Sequence, residues 1–507
     1  PVQIIARTYD RIAELNPAIN AHWHLTEALA ERDAHASTQR WRAGVPRALE
    51  GLPIGIKDVI DVADQPCTGG SRIYRRRRAR VDATVVARLR AAGAIVVTKD
   101  ATTEFGIGGP LNPAFGPTRN PWQSDHWTGG SSCGAASGLA AGTIPLAIGT
   151  DAGGSVRMPA AWSGVVGLKP TMGRVSRRGV MPCSWHAEVI GPMARTVSDA
   201  WTLLTVISGF DPADSRTVAA PLDTAPLDTA PLNTMRETDI RSLRIGVAPE
   251  WWEGIVDSST RQTVTDAVEA LRAAGARIVP LTGLPCAREL HDLSYEIVWA
   301  EAASIHASHN TSRDMMDPVA VQRLSAGRGV TAAEYFDLLR RRAEAQRRMY
   351  AALEPADVLL TPTTITTAPR LDSLNLTVGD QRVPVHQGYA LLAAHANLTG
   401  FPAIAVPAGF TSEGLPLSLQ FTGRPWREAT CCRAARAWEL LAGQVRAIPD
   451  LTDAAHHTSP SEMVQNQSEF LESSPYLSGN LDPGGVDPIL GPLATPATLD
   501  ETGNDRS

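Results

Sequence analysis

The chain has 507 residues, 43% hydrophobic and 20% charged, enough to bury a large core in one big domain or two to three ordinary ones. Lys and Arg number 47 against 53 Asp and Glu, a net charge of −6, so no basic excess points to nucleic acid. Six cysteines with no Cys-x-x-Cys pair and no His/Cys cluster at ligand spacing exclude a disulfide framework and a zinc site, and no stretch reaches the roughly 20 apolar residues of a membrane span.

Residues 1–42 carry a helical pattern, with Ile4, Ile5, Tyr9, Ile12 and Leu15 at helical spacing and a break expected at Asn16-Pro17. From Gly51 to Thr196 the chain turns rich in Gly, Ser, Thr and Pro between short apolar runs. A helix over 82–92, stopped by Gly93 and followed by the strand-like Ala94–Val97, recurs as 262–274, Gly275 and 276–279. Such alternation predicts an α/β protein with a largely buried sheet. Residues 220–234 repeat a five-residue Ala-Pro-Leu-Asp/Asn-Thr unit three times. A proline every fifth position forbids a helix, so a surface insertion over about 215–240 is expected. A strand follows at 243–247, a mostly helical region spans 287–353, and strands return at 357–360, 403–406 and 417–421. Beyond residue 449 the chain becomes polar and rich in Ser, Pro, Asp and Gly, which predicts one domain over 1–449 and a disordered tail over 450–507.

Three segments have compositions unsuited to a plain core. Lys57 closes the apolar run Pro53–Ile56; pointing inward, its amine would be driven toward the neutral form, and otherwise it is a strand-end lysine reaching solvent. Thr128-Gly129-Gly130-Ser131-Ser132-Cys133-Gly134 leads into a run of small residues that reads as a helix start. In Thr150-Asp151-Ala152-Gly153-Gly154-Ser155-Val156-Arg157, four consecutive N–H groups, from Ala152 to Ser155, can converge on one oxyanion. Neither serine loop has the Gly-x-Ser-x-Gly pattern of α/β-hydrolases, no Walker lysine motif is present, and no histidine lies in either loop.

Together these segments resemble the amidase signature family. The resemblance rests on Gly55-Ile56-Lys57-Asp58, Asp82–Val86, Phe115–Trp122, Gly129–Ser132, Thr150–Ala160, Gly164–Arg174 and Gly191–Thr196 in that order, with Asn397–Ala403 and Leu415–Gln420 downstream. It implies a mixed twisted central β-sheet covered by helices on both faces, and hydrolysis of linear amides through a Ser–Ser–Lys triad. Residue by residue, Ser155 is then the nucleophile, Ser131 the bridging serine after a cis peptide bond, and Lys57 the base. The amides of Ala152, Gly153, Gly154 and Ser155 form the oxyanion hole; Gly129, Gly130, Ser132, Asp151 and Arg157 support it. Cys133 stands where many relatives have glycine. The resemblance implies no cofactor or metal, a small-molecule amide as partner with a homodimer allowed, no nucleic acid or membrane, and a cytoplasmic location.

Amides, esters, anilides and carbamates all remain open as substrates. The alternative within the family is the glutaminase component of tRNA-dependent amidotransferases. That subclass commonly has Ser-Leu-Asp-Gln before its Gly-Pro and Gln at the position of Met158, whereas this chain has His186-Ala187-Glu188-Val189-Ile190 before Gly191; both departures favour a free-standing amidase. A non-catalytic scaffold or nucleic-acid binder, using Arg75–Arg78 or the arginines of 340–348, is the remote alternative. Those arginines read first as solvated surface, and Trp122, Trp162 and Trp185 as either pocket lining or core.

Overall fold

A computed structural model describes residues 1–220, 237–373, 375–443, 448–449 and 451. The repeat at 221–234 and the tail from 452 lie outside the described residues. The strands, in chain order, are β1 (His22–Leu25), β2 (Pro53–Lys57), β3 (Ile95–Asp100), β4 (Leu146–Asp151), β5 (Val166–Lys169), β6 (Val189–Ala194), β7 (Arg244–Val247), β8 (Arg277–Pro280), β9 (Val358–Pro362), β10 (Asn375–Val378), β11 (Gln381–Pro384), β12 (Ala403–Phe410) and β13 (Pro416–Gly423). All but the β10–β11 hairpin join one mixed sheet in the order β1-β3-β2-β4-β6-β5-β12-β13-β9-β7-β8. β2 runs parallel to β3 and β4, and β9, β7 and β8 are parallel; the strands between alternate antiparallel.

The apolar runs of β2, β3 and β4 are buried along their whole length, as strands covered by helices on both faces must be. Helix Thr84–Ala91 connects β2 to β3, and helix Cys133–Ala140 connects β3 to β4. Each of these parallel strands ends in polar residues: Lys57, Lys99-Asp100 and Thr150-Asp151. The register that sets Ile56 beside Ile148 brings those ends to one edge of the sheet, where ligands gather in such folds.

The N-terminal expectation needs correction. A helix runs from Val2 through Pro17 to Ile19, followed by β1 and a second helix, Glu27–Arg42. Pro17 falls in the last turn, where its missing N–H leaves Ala13 O without the usual i−4 donor but does not end the helix. The helix stops at Asn20 instead, whose left-handed backbone (φ 49°) returns its N–H to Asn16 O. Asn16 Oδ1 then accepts from both Ala21 and His22 N–H at 2.9 Å and turns the chain into β1.

The expected helical region resolves into Ala287–Ile305, Pro318–Arg328 and Ala332–Ala352. Asp317 caps the second of these, accepting from Val319 N–H at 2.8 Å, and its other oxygen accepts from Gly109 N–H at 2.9 Å. Glu104 in turn accepts from the Asp317 N–H. Loop 104–110 is thereby fastened to the downstream helices that roof the sheet edge. Among the described residues no helix is long and apolar enough to cross a membrane.

Candidate active site

Lys57 does not reach solvent. Fully buried at the end of β2, its Nζ lies 2.6 Å from Ser131 Oγ and 2.8 Å from Thr150 Oγ1. Burial brings the amine down to about 8, against the pull of the Glu188 and Asp151 carboxylates. A neutral amine at this spot has a lone pair for the Ser131 proton while Thr150 takes one of its N–H bonds. Asp58, next in sequence, is turned away and pairs with buried Lys99 at 2.6 Å.

The Gly130–Ser131 peptide bond is cis. Tyr389 holds this loop: its hydroxyl accepts from Gly130 N–H at 3.0 Å and donates to Gly130 O. Ser132 ties the two serine loops together. Its N–H donates to Ser155 O at 3.1 Å, its hydroxyl donates to Thr150 O at 3.2 Å, and Thr150 N–H donates back at 3.3 Å.

The turn after β4 is organised by Asp151. Its carboxylate accepts from Gly154 N–H at 2.7 Å and Val156 N–H at 3.2 Å, and from Arg157 Nε and Nη2 at 3.0 and 3.1 Å. Burial alone would raise the Asp151 carboxyl; the Arg157 guanidinium instead holds it well below the usual carboxylate range. With Gly154 N–H taken by Asp151, the amides of Ala152, Gly153 and Ser155 are the members of the expected set that enter no turn or loop hydrogen bond among the described residues. Gly154 adopts φ 125°, which favours glycine, and a Cβ on Gly153 would lie 2.8 Å from the Tyr295 hydroxyl.

Ser131, Ala152, Gly153 and Ser155 open onto one cavity, whose lining also includes Tyr295, Trp299 and Arg323 from the downstream helices and Tyr389. Trp127 also lines it and stacks on Tyr389, with centroids 5.2 Å apart. None of Trp122, Trp162 and Trp185 does so: Trp162 packs behind Trp127, Trp122 packs on Phe410, and Trp185 is exposed. Cys133 is buried at the start of its helix, while Cys183 faces the cavity. Sequence reasoning missed Thr150, Tyr295, Arg323, Tyr389 and Cys183 as lining or supporting groups. Only Thr150 had a signal, its place at the head of the Gly-Ser turn. Glu188 was named only as a motif departure; it is buried near Lys57 and accepts from Cys183 N–H at 2.9 Å.

The Amidase family profile matches residues 3–432. The chain belongs to the amidase family. It is 35% identical to the A-type subunit of the Glutamyl-tRNA(Gln) amidotransferase of Chloroflexus aggregans over 89% of this chain and 95% of that one. It is 37% identical to a fatty acid amide hydrolase of Medicago truncatula over 83% of this chain and 70% of that one. A solved structure of a vestigial protein complex, described as revealing the evolutionary origins of an s-triazine catabolic enzyme, superposes with a TM-score of 0.80 at 31% identity, covering 86% and 94% of the two chains. The large mixed sheet flanked by helices is therefore the amidase-family fold, as the sequence resemblance implied. Of the residues named from sequence, the amidase-family segments around Lys57, Ser131, Ser155, Asp151 and Arg157 meet at one edge of the sheet, and Gly129 and Ser132 lie in the loop that joins them. Among the described residues no group of three or more His, Cys, Asp or Glu is arranged to hold a metal ion.

Proposed function

We propose that this chain hydrolyses the C–N bond of a small carboxamide through an acyl-enzyme. Neutral Lys57 takes the proton of Ser131, which takes that of Ser155, and Ser155 Oγ attacks the carbonyl carbon. The N–H groups of Ala152, Gly153 and Ser155 hold the oxyanion. The proton then returns through Ser131 to the leaving nitrogen, the C–N bond breaks, and amine or ammonia departs. Water enters by the same relay, and the carboxylate is released. The observation that carries this reading is the 2.6 Å contact between a fully buried amine and the Ser131 hydroxyl. Arg323, whose Nη1 donates to Ile107 O at 2.7 Å while the side chain lines the cavity, brings a positive charge that suits a substrate bearing an anionic group beyond the amide.

Replacing Ser155 tests the reading. Amine release from a panel of short aliphatic, anilide and carbamate compounds should vanish in Ser155→Ala with the fold intact. Full turnover by that variant rules the scheme out.

A second reading keeps the chemistry and changes the setting: the glutaminase component of a tRNA-dependent amidotransferase, working within a complex. The relatives named as the A-type subunit of Glutamyl-tRNA(Gln) amidotransferase weigh toward it, and more heavily than Met158 and the 186–190 sequence weigh toward a free-standing amidase. Glutamine hydrolysis by the isolated chain, set beside the amide panel, separates the two.

A further inference from the structure

Arg157 is fully buried at the first position of helix Arg157–Ser163, and two of its hydrogen bonds return to Asp151. The others leave for distant parts of the chain. Nη1 donates to Ala393 O at 2.8 Å and to Gln420 Oε1 at 2.7 Å, and Nη2 donates to Asn397 Oδ1 at 2.6 Å.

The two amide side chains are themselves fixed at their other ends. Asn397 Nδ2 donates to Asp151 O at 2.9 Å and Ala187 O at 3.1 Å. Gln420 Nε2 donates to Leu392 O at 2.9 Å and Thr361 Oγ1 at 3.2 Å. Both side chains are fully buried, and neither lines the cavity. An amide suits each place because it accepts from the guanidinium and donates to a carbonyl at once. An apolar side chain of the same size would leave a guanidinium N–H without its acceptor in the core. The line of contacts runs from Gln420 and Asn397 through Arg157 to the Asp151 carboxylate, and from there to Gly154 and Val156 N–H.

We propose that Asn397 and Gln420 are positioning residues, which through Arg157 hold the 151–156 turn so that its free N–H groups converge on the developing oxyanion. The downstream half of the chain thereby sets the rate of acylation without touching substrate. This rests on the reading that Ser155 is the nucleophile.

The test compares Gln420→Met, Asn397→Ala and Gln420→Glu with the unaltered chain on an amide that the latter hydrolyses. A fluorophosphonate that captures Ser155 supplies two further numbers: its end point counts competent sites, and its rate reads the turn directly. Per competent site, kcat should fall roughly 10- to 100-fold in Gln420→Met and Asn397→Ala, less than the roughly 100- to 1000-fold that follows outright removal of an oxyanion donor. KM should stay within about twofold, capture should slow by the same factor as kcat, and the pH midpoint set by Lys57 should not move. Gln420→Glu, which keeps an oxygen toward Arg157 but sets a second one against Leu392 O in place of the amide donor, should recover only part of the rate. The inference is overturned if both apolar variants keep the original kcat per captured site, or if the loss lies only in KM or in the number of sites. Hydrolysis that survives Ser155→Ala overturns the nucleophile assignment instead, so the two failures are told apart.

Discussion

In the proposed mechanism, the residue on which the chemistry turns is a buried amine between two hydroxyls. Because burial lowers the Lys57 pKa, the neutral form that can accept a proton fills as pH rises through about 8. Charged Lys57 cannot act as a base, so kcat/KM should climb about tenfold per pH unit below that value and level off above it. Glu188 pulls the Lys57 pKa upward, and it holds Cys183 N–H through an oxygen that glutamine also has. Glu188→Gln should therefore move the midpoint of the limb to lower pH with little loss at the plateau. An unmoved midpoint in that variant would mean that Glu188 is not acting on the amine. The lysine stood out in the sequence because it closes an apolar strand. Glu188 did not, since nothing in a lone carboxylate before Val189 indicates what it faces once folded.

At the scale of elements, strand ends and tight loops carry the site, and they were the legible part. Gly-Ser loops are local, so the same residues that make the turn also present the N–H groups. The walls were not legible, because Tyr295, Trp299 and Arg323 belong to helices whose sequence speaks of amphipathic packing alone. Tyr389 is the clearest case: some 260 residues from Gly130, it grips both polar groups of that residue. Tyr389→Phe keeps the stack on Trp127 and removes both contacts. The expected result is a kcat lower by roughly tenfold, about 1.4 kcal/mol, with unchanged secondary structure by circular dichroism. The helix through Pro17 shows the opposite failing. A proline signal was present, but the left-handed Asn20 and the Asn16 side chain, not the proline, decide where that helix ends.

For the whole molecule, the sheet makes one body of segments far apart in sequence, with β5 beside β12 and β9 beside β13. A buried ion pair fastens the same seam. Glu428 accepts from Arg174 Nε and Nη2 at 3.1 and 3.0 Å and from Thr171 N–H at 2.9 Å. Glu428→Ala would leave the Arg174 guanidinium in the core without its carboxylate, a loss on the order of 3–5 kcal/mol measured by urea unfolding. A change below about 1 kcal/mol would show that the pair is not holding the halves together. Sequence alternation predicted an α/β sheet, but the order of its strands depends on contacts between residues hundreds of positions apart, which no local pattern records.

The most direct test of the account is the pH dependence of kcat/KM from about pH 6 to pH 10, in the unaltered chain and in Lys57→Met. The account predicts a single rising limb with its midpoint near 8 in the first, and in the second no such limb and a rate lower by at least roughly a thousandfold. A flat profile between about pH 7 and pH 9 in the unaltered chain, or a limb that survives in Lys57→Met, would contradict it.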